Sequence, residues 1–428
     1  LDTVKHLVIG AGVTGLAFAD WLDSDDILIC EAEPEIGGYC RTILRDGFVW
    51  DFSGHFFHFR HQAIERYLVE RMAGQEVRKI VKEARIWHEG ELIDFPFQKN
   101  IHQLPKDQFT ECLYDLYFKD EAAPAGRGAP ANFQEMLYQK FGRGIAERFL
   151  IPYNQKLYAT DLSVLDVDAM GRFFPYADTT DIVRNFRAAE NQSYNATFTY
   201  PAGGAIQYVN ALAKEIDPAR IALSERVIAI DLERKVAKTP KREVAFEHLT
   251  SAMPFPKLLA MTGVPHEPAD FSYNKVLVFN LGFDRKGPEG VHWMYFASPD
   301  QVFYRLGFYD NIFGTDRMSM YVEIGYPKDA VVDQATVDAM LARTLADLEA
   351  TGITNGHKLV ASHHVLLDPA YVHITRRSVS EVARLSQVLA HRGVHSLGRY
   401  GAWTYCSIED NIVEARAHAD SFNALGAS

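Results

Sequence analysis

Gly10-Ala11-Gly12-Val13-Thr14-Gly15, with Glu31 standing 21 positions after Gly10, has the residue types and spacing that hold a dinucleotide. The first glycine makes a tight turn, the second lets backbone approach a pyrophosphate, and the third lets a helix pack on a strand. The helix N-terminus then faces the phosphate anion, and the acid accepts from ribose hydroxyls. A second glycine pair, Gly37-Gly38, follows the acid, and Arg41 beyond it can reach a phosphate through two N–H groups. His55 and His58 stand at H-x-x-H spacing, but no third ligand of clear spacing accompanies them, so no metal is expected.

Such residues need a strand, a turn, a helix and a second strand to position them. Residues 6–9 are an apolar strand, 16–22 continue at helical spacing, and 27–30 form a second strand that ends on Glu31. Beyond this unit, 61–83 and 133–150 show helical spacing on either side of a loop at 120–132 (DEAAPAGRGAPAN). An amphipathic helix is predicted at 206–216, after Thr-Tyr-Pro-Ala-Gly-Gly. Paired strands are predicted at 221–237 and 242–249, ending at Ser251-Ala252-Met253-Pro254. Alternation over 272–330 predicts a second sheet. Helices follow at 335–348 and 379–391, then a strand at 394–398 and a helix over about 410–424. The fold class expected is α/β: a discontinuous Rossmann-type dinucleotide domain with a helical insertion and an antiparallel-sheet substrate domain. Its boundaries are 1–65 with 200–265 and 388–428 for the first, 66–199 for the helical part, and 266–387 for the second sheet.

A chain of 428 residues is too long for one core and should divide into two or three domains. Hydrophobic residues at 47% and charged residues at 23% describe an ordinary soluble protein, and the 12% of aromatics suit a site that holds flat rings. A formal net charge of −12 argues against a broad nucleic-acid surface while permitting a local basic pocket. Cys30, Cys40, Cys112 and Cys406 form no CxxC, which leads to the expectation of a reducing cytoplasm. No apolar run reaches membrane-spanning length, and neither a signal peptide nor a membrane partner is expected.

The stretch from Glu31 to Thr42 resembles the flavin-binding motif shared by FAD-dependent amine oxidases, protoporphyrinogen oxidases and sugar-nucleotide mutases. Further segments, in shared order, resemble the UDP-galactopyranose mutase family: Gly54-His55-Phe56-Phe57-His58, Phe95-Pro96-Phe97-Gln98-Lys99-Asn100, Pro152-Tyr153-Asn154-Gln155-Lys156-Leu157-Tyr158, Pro201-Ala202-Gly203-Gly204, Tyr304-Arg305, Gly325-Tyr326-Pro327 and Gly398-Arg399-Tyr400. The resemblance implies FAD, active when reduced, whose N5 attacks the anomeric carbon of a nucleoside-diphosphate sugar. The diphosphate leaves, the sugar ring opens and recloses as furanose, and the diphosphate returns without net oxidation.

It implies catalytic roles for Arg305, His58, Tyr326 and Tyr405. Cofactor contacts fall on Gly10, Gly12, Thr14, Gly15, Glu31, Gly38, Arg41, His55, Val227, Arg399 and Asp410. Substrate contacts fall on Tyr153, Asn154, Tyr158, Gln98 and Arg184. Tyr158 stands where the mutases carry tryptophan, and their mobile-loop arginine has no clean counterpart, Arg172, Arg184 and Arg187 all standing in or near the expected 178–195. NAD(P)H or an external reductase is the expected electron source, and a homodimer is the expected assembly. A flavin oxidase taking hydride from a C–H bond, or a non-catalytic binding protein on the same fold, are the alternatives.

Overall fold

In a computed structural model, which describes residues 1–120, 128–191 and 196–426, strand Asp2–Ile9 lies at the centre of a sheet whose core is parallel and whose edge, Ala229–Asp231 and Val236–Lys238, is antiparallel. It pairs with Ile27–Cys30 on one side and Glu243–Ser251 on the other, and Val394–Ser396 continues the sheet beyond Glu243–Ser251. The last four residues of Asp2–Ile9 and all of Ile27–Cys30 are buried, as parallel strands covered on both faces require. Helices Val13–Trp21, Ile206–Ala213 and Ile408–Gly426 pack one face through Leu16, Phe18, Tyr208, Leu212, Ile412 and Ala415. Phe255–Thr262 and Arg376–Ala390 cover the other through Phe255, Leu258, Leu385 and Leu389. Both chain ends and the middle build this layer, so the dinucleotide fold is discontinuous.

The second sheet has the order Leu359–Leu367, Asn274–Phe283, Ser319–Pro327, Arg305–Phe308, Trp293–Phe296, Ala84–His88, Glu91–Asp94. Every pairing is antiparallel except that of Trp293–Phe296 with Ala84–His88. Its outer face packs helix Gln334–Ala350, and its inner face meets the helices Phe133–Ile145 and Ile151–Tyr158 across a shared aromatic core.

Three sequence expectations are corrected. Residues 61–83 are not one helix: Gln62–Arg71 ends before Gly74, whose φ of +84° breaks the spiral, and Val77–Val81 forms a strand with Thr197–Pro201. The stretch 66–199 is therefore not helical throughout, and its hairpin 84–94 belongs to the second sheet, which is mixed rather than wholly antiparallel. The helix over 133–150 is interrupted at Gly142, whose φ of +74° leaves the helical region; glycine is needed there because a side chain would meet the Asp115 carbonyl. Residues 121–127 of the predicted loop, and 192–195 of the stretch expected to carry the mobile arginine, lie outside the described residues.

Candidate functional site

Gly10 takes φ +101°, the region that favours glycine, and its N–H donates to Cys30 O at 2.9 Å. Gly12 is the N-cap of helix Val13–Trp21 and brings no side-chain cap, so the first N–H groups of the helix are left for an anion. The second glycine pair lies across it. Gly37 N–H donates to Ala11 O at 2.8 Å, and a Cβ on Gly12 would stand 3.9 Å from Gly38 Cα. Gly15 answers a different need, because a Cβ there would lie 2.0 Å from Gly10 O and prevent the helix from closing on the turn. Glu31 is buried at the end of its strand, its Oε2 accepting from Ala11 N–H at 2.7 Å and its Oε1 from Glu33 N–H at 2.9 Å. Arg41 donates from Nε to Gly38 O at 2.9 Å and lies 3.4 Å from exposed Glu35.

These groups form one end of a cavity of about 1070 Å³ that extends to the inner face of the second sheet. That is at the top of the roughly 300–1,000 Å³ of ordinary ligand pockets. Midway, Asn411 on helix Ile408–Gly426 accepts from Thr14 Oγ1 at 3.0 Å and Arg399 N–H at 2.7 Å. The Arg399 guanidinium lies 4.7 Å from the Tyr405 ring centroid and 5.2 Å from that of Tyr371. Its buried Nε has no hydrogen-bond partner, and no carboxylate pairs with it among the described residues. His55 and His58 also face the cavity. Burial, then the Arg399 charge, lowers His55 to about 4, and burial lowers His58 to about 4 although its Nδ1 donates to Thr197 O at 2.8 Å. Both imidazoles are neutral at pH 7.

At the sheet end, Arg305 and Glu323 face one another on neighbouring antiparallel strands. Arg305 donates from Nε to Oε2 and from Nη2 to Oε1, each at 2.8 Å, and from Nη2 to Tyr371 Oη at 3.4 Å. Lys156 on helix Ile151–Tyr158 donates to the carbonyls of Ser298, Gln301 and Phe303, fixing the segment that leads into Arg305. The same helix carries Tyr153, stacked on Phe149 with centroids 5.2 Å apart, and Asn154. Asn154 and Gln98 spend their amide N–H groups on the carbonyls of Leu150 and Pro175, which turns their buried oxygens elsewhere and leaves them unpaired. Both residues line the cavity, where a ligand's N–H or O–H groups could reach these oxygens.

Most of the residues singled out in the sequence meet at this cavity. Gly10, Gly12, Thr14, Glu31, Gly38 and Arg41 line its first end, with Val227 beside them. His55, His58, Arg399 and Tyr405 line the middle, and Arg305, Tyr153, Asn154 and Gln98 the far end. Five do not line it. Gly15 packs helix on strand. Asp410 binds Arg172 and Arg60 instead. Tyr158 is 1% exposed behind Tyr371. Arg184 is exposed on helix Thr179–Asn185, whereas Arg172 lines the wall. Tyr326 packs with the core on the outer face of the sheet, because strand alternation sends Tyr321 and Glu323 inward and Val322, Ile324 and Tyr326 outward. The sequence reading missed Glu323, Tyr371 and Ser53. Counting by twos from Tyr321 would have found Glu323, but nothing local marks Tyr371. Among the described residues, no three His, Cys, Asp or Glu side chains converge as metal ligands, and no helix is long and apolar enough to cross a membrane.

Residues 13–396 match the model of the flavin containing amine oxidoreductase family. The chain belongs to this family. Within it, the structure resembles a reduced UDP-galactopyranose mutase with a TM-score of 0.90 at 26% identity, over 100% of this chain and 95% of the other. A putative protoporphyrinogen oxidase from Exiguobacterium sp. 255-15 gives 0.76 at 18% identity over 98% of both chains. Putrescine oxidase bound to putrescine gives 0.69 at 15% over 99% of both. The last two share the fold. Coproporphyrinogen III oxidase of Bacillus subtilis (strain 168) is 23% identical over 39% of this chain, and the match spans 39% of that relative's length.

A flavin-containing family implies FAD, and the residues of this flavoprotein fit it. The uncapped helix N-terminus with Gly12 against Gly38 could hold a pyrophosphate, and the buried Glu31 carboxylate at the end of the second strand could accept from ribose hydroxyls. The unpaired Arg399 Nε is a donor, and the unpaired His55 Nδ1 a donor or acceptor by tautomer, for a polar ring edge.

Proposed function

We propose that this flavoprotein interconverts the pyranose and furanose forms of a nucleoside-diphosphate sugar. The observation that carries the reading is the correspondence with a reduced UDP-galactopyranose mutase along essentially the whole of both chains. The interior of the cavity supports it. Arg305 and Arg399, bridged by Tyr371 and Tyr405, suit a diphosphate, and guanidinium presents a fork of N–H donors that an oxygen anion can accept. Bound FAD in its reduced form would supply the nucleophile toward the anomeric carbon, its electrons coming from NAD(P)H or an external reductase. The chain's own part is to hold, orient and shield. Arg305, Arg399 and the Tyr371 hydroxyl stabilise charge as it gathers on the departing diphosphate. Neutral His55 and His58 add no charge that would compete for it. Tyr153, Tyr295 and Trp293 wall the far end with apolar ring faces that keep water from the opened sugar.

The partial match to a coproporphyrinogen III oxidase favours a second reading, an oxidase acting on a carboxylated tetrapyrrole, for which the same arginines would bind carboxylates. Reduction with dithionite, followed by anaerobic incubation with a panel of nucleotide sugars and analysis by chromatography and NMR, separates the two. A furanose product formed only in the reduced state supports the mutase. Reduced protein that isomerises no sugar, together with oxygen consumption in the presence of coproporphyrinogen, overturns it in favour of the oxidase.

A further inference from the structure

A site built for a doubly charged diphosphate gains from every uncompensated cation, yet a carboxylate stands directly against its arginine. Glu323 is 1% exposed and lines the same cavity as Arg305. It occupies the Nε and Nη2 edge of the guanidinium with two bonds of 2.8 Å, and its Oε1 also accepts from Ser53 Oγ. Holding the sheet together does not require this pair. The same two strands are joined by a continuous ladder whose next cross-strand partners are Leu306 with Val322, Gly307 with Tyr321 and Phe308 with Met320. Burial pushes the Glu323 carboxyl up, but Arg305 more than offsets this and holds it below the usual carboxylate range, so the pair is ionised and neutral overall.

Two consequences follow from that geometry. The guanidinium cannot rotate about its last torsion, and its Nη1 hydrogens, which take no part in these bonds, are presented in one orientation. The net charge that meets the ligand at this end of the cavity is also reduced, which loosens the ground-state grip on a phosphate group.

Building on the mutase reading, we propose that Glu323 is the positioning residue for Arg305: it fixes the guanidinium fork and neutralises its charge, giving up diphosphate affinity for one fixed orientation of the donors. Ser53 anchors Glu323 from the segment that also carries His55, so the diphosphate end and the ring end of the cavity share one hydrogen-bonded support. Removing the charge while keeping the shape should tighten the ground state without quickening the reaction, the mark of uniform binding.

The test uses FAD-loaded protein and calorimetric titration with UDP, dTDP, GDP and ADP, then with the nucleoside of the best binder. Glu323→Gln should bind that nucleoside diphosphate about tenfold more tightly than the parent, a difference of about 1.4 kcal/mol. Its nucleoside, which carries no phosphate, should bind both proteins alike. With a turned-over sugar, KM should fall and kcat should not rise. Glu323→Asp keeps the charge but draws the fork away, and should weaken the nucleoside diphosphate about tenfold with the flavin spectrum unchanged. Unchanged or weaker nucleoside-diphosphate binding by flavin-loaded Glu323→Gln, or parental binding by Glu323→Asp, overturns the proposal while leaving the mutase reading intact. A parent protein that binds none of the four overturns both.

Discussion

Arg305 differs from an ordinary surface arginine in having a buried carboxylate that depends on it. Deleting its side chain would strand Glu323, and breaking a buried pair from one side costs about 3–5 kcal/mol. Arg305→Lys is the cleaner probe, since it keeps the charge and loses the planar fork. We expect it to lower kcat/KM for the nucleotide sugar on the order of a hundredfold, with the flavin absorbance unchanged and little loss of Tm. A variant with parental kcat/KM would remove the diphosphate role from this residue. Tyr371→Phe deletes the hydroxyl 3.4 Å from Arg305 Nη2 while keeping the ring stacked on Tyr405. It should cost about 1–2 kcal/mol in transition-state stabilisation, roughly tenfold in kcat/KM, if that hydroxyl also meets the diphosphate. Tyr326→Phe, on the outer face of the sheet, should leave kinetics unchanged. The sequence offered Tyr326 for the site and left Tyr371 unmarked, and the packed sheet reverses the two.

At the scale of elements, the glycine turn divides its work between two positions. A Cβ on Gly12 would make only ordinary contact with Gly38, 3.9 Å from its Cα, so Gly12→Val should leave the fold intact and exclude FAD, read as colourless protein with near-parental circular dichroism. Gly15→Ala forces a Cβ against Gly10 O and should instead destabilise the sheet–helix contact by about 1–3 kcal/mol, seen as a lower Tm whether or not FAD is added. Helix Ile408–Gly426 has two duties as well. Its first turns bring Asn411 to the cofactor end, and its later turns seat His418 and Phe422 on the sheet among His6, His248 and His395.

Burial, then His248, lowers His6 to about 4, and burial, then His395, lowers His418 to about 4. An unfolded histidine titrates near 6.5. Between those values the unfolded chain binds more protons than the folded one, so this contribution to stability is present above about pH 6.5 and is lost as pH falls towards 4. Thermal unfolding between pH 7.5 and 4.5 should show Tm falling over that window, and His418→Phe should flatten the fall. An unflattened profile would assign the acid sensitivity to other groups.

Across the whole molecule, the cavity draws its walls from the first sheet, from the helices at 133–158 and from the second sheet. A ligand that touches all three adds binding free energy to each interface at once, since whatever binds only the folded state stabilises it. Holo protein should therefore unfold several degrees above apo protein. Hydrogen exchange on FAD loss should rise at 51–58 and 398–411 and not in the helix Gln334–Ala350, which faces away from the cavity. Uniform loss of protection would mean that the cofactor is needed for the fold itself rather than for joining its parts.

Whatever could be read along one stretch of chain was determined by the sequence alone. The glycine spacing, the apolar runs at 6–9 and 27–30 and the acid that ends the second run specify a dinucleotide unit, because turn, helix and strand there obey local sterics and periodicity. The helix read at 379–391 and the strand read at 394–398, observed as Arg376–Ala390 and Val394–Ser396, were legible for the same reason. Tertiary structure decided everything that depends on which strand lies beside which. Residues 84–94 joined the second sheet through a parallel pairing with Trp293–Phe296 some 200 positions away, and no local pattern encodes such a partner. Arg305 met Glu323 because of ladder register, and Tyr371 reached the site from a stretch between strand and helix. Tyr326 was lost to the site because one residue along a strand reverses the face. Propensity and spacing act over a few residues, whereas register, facing and charge pairing are properties of packed neighbours, and they exist only once the chain has closed.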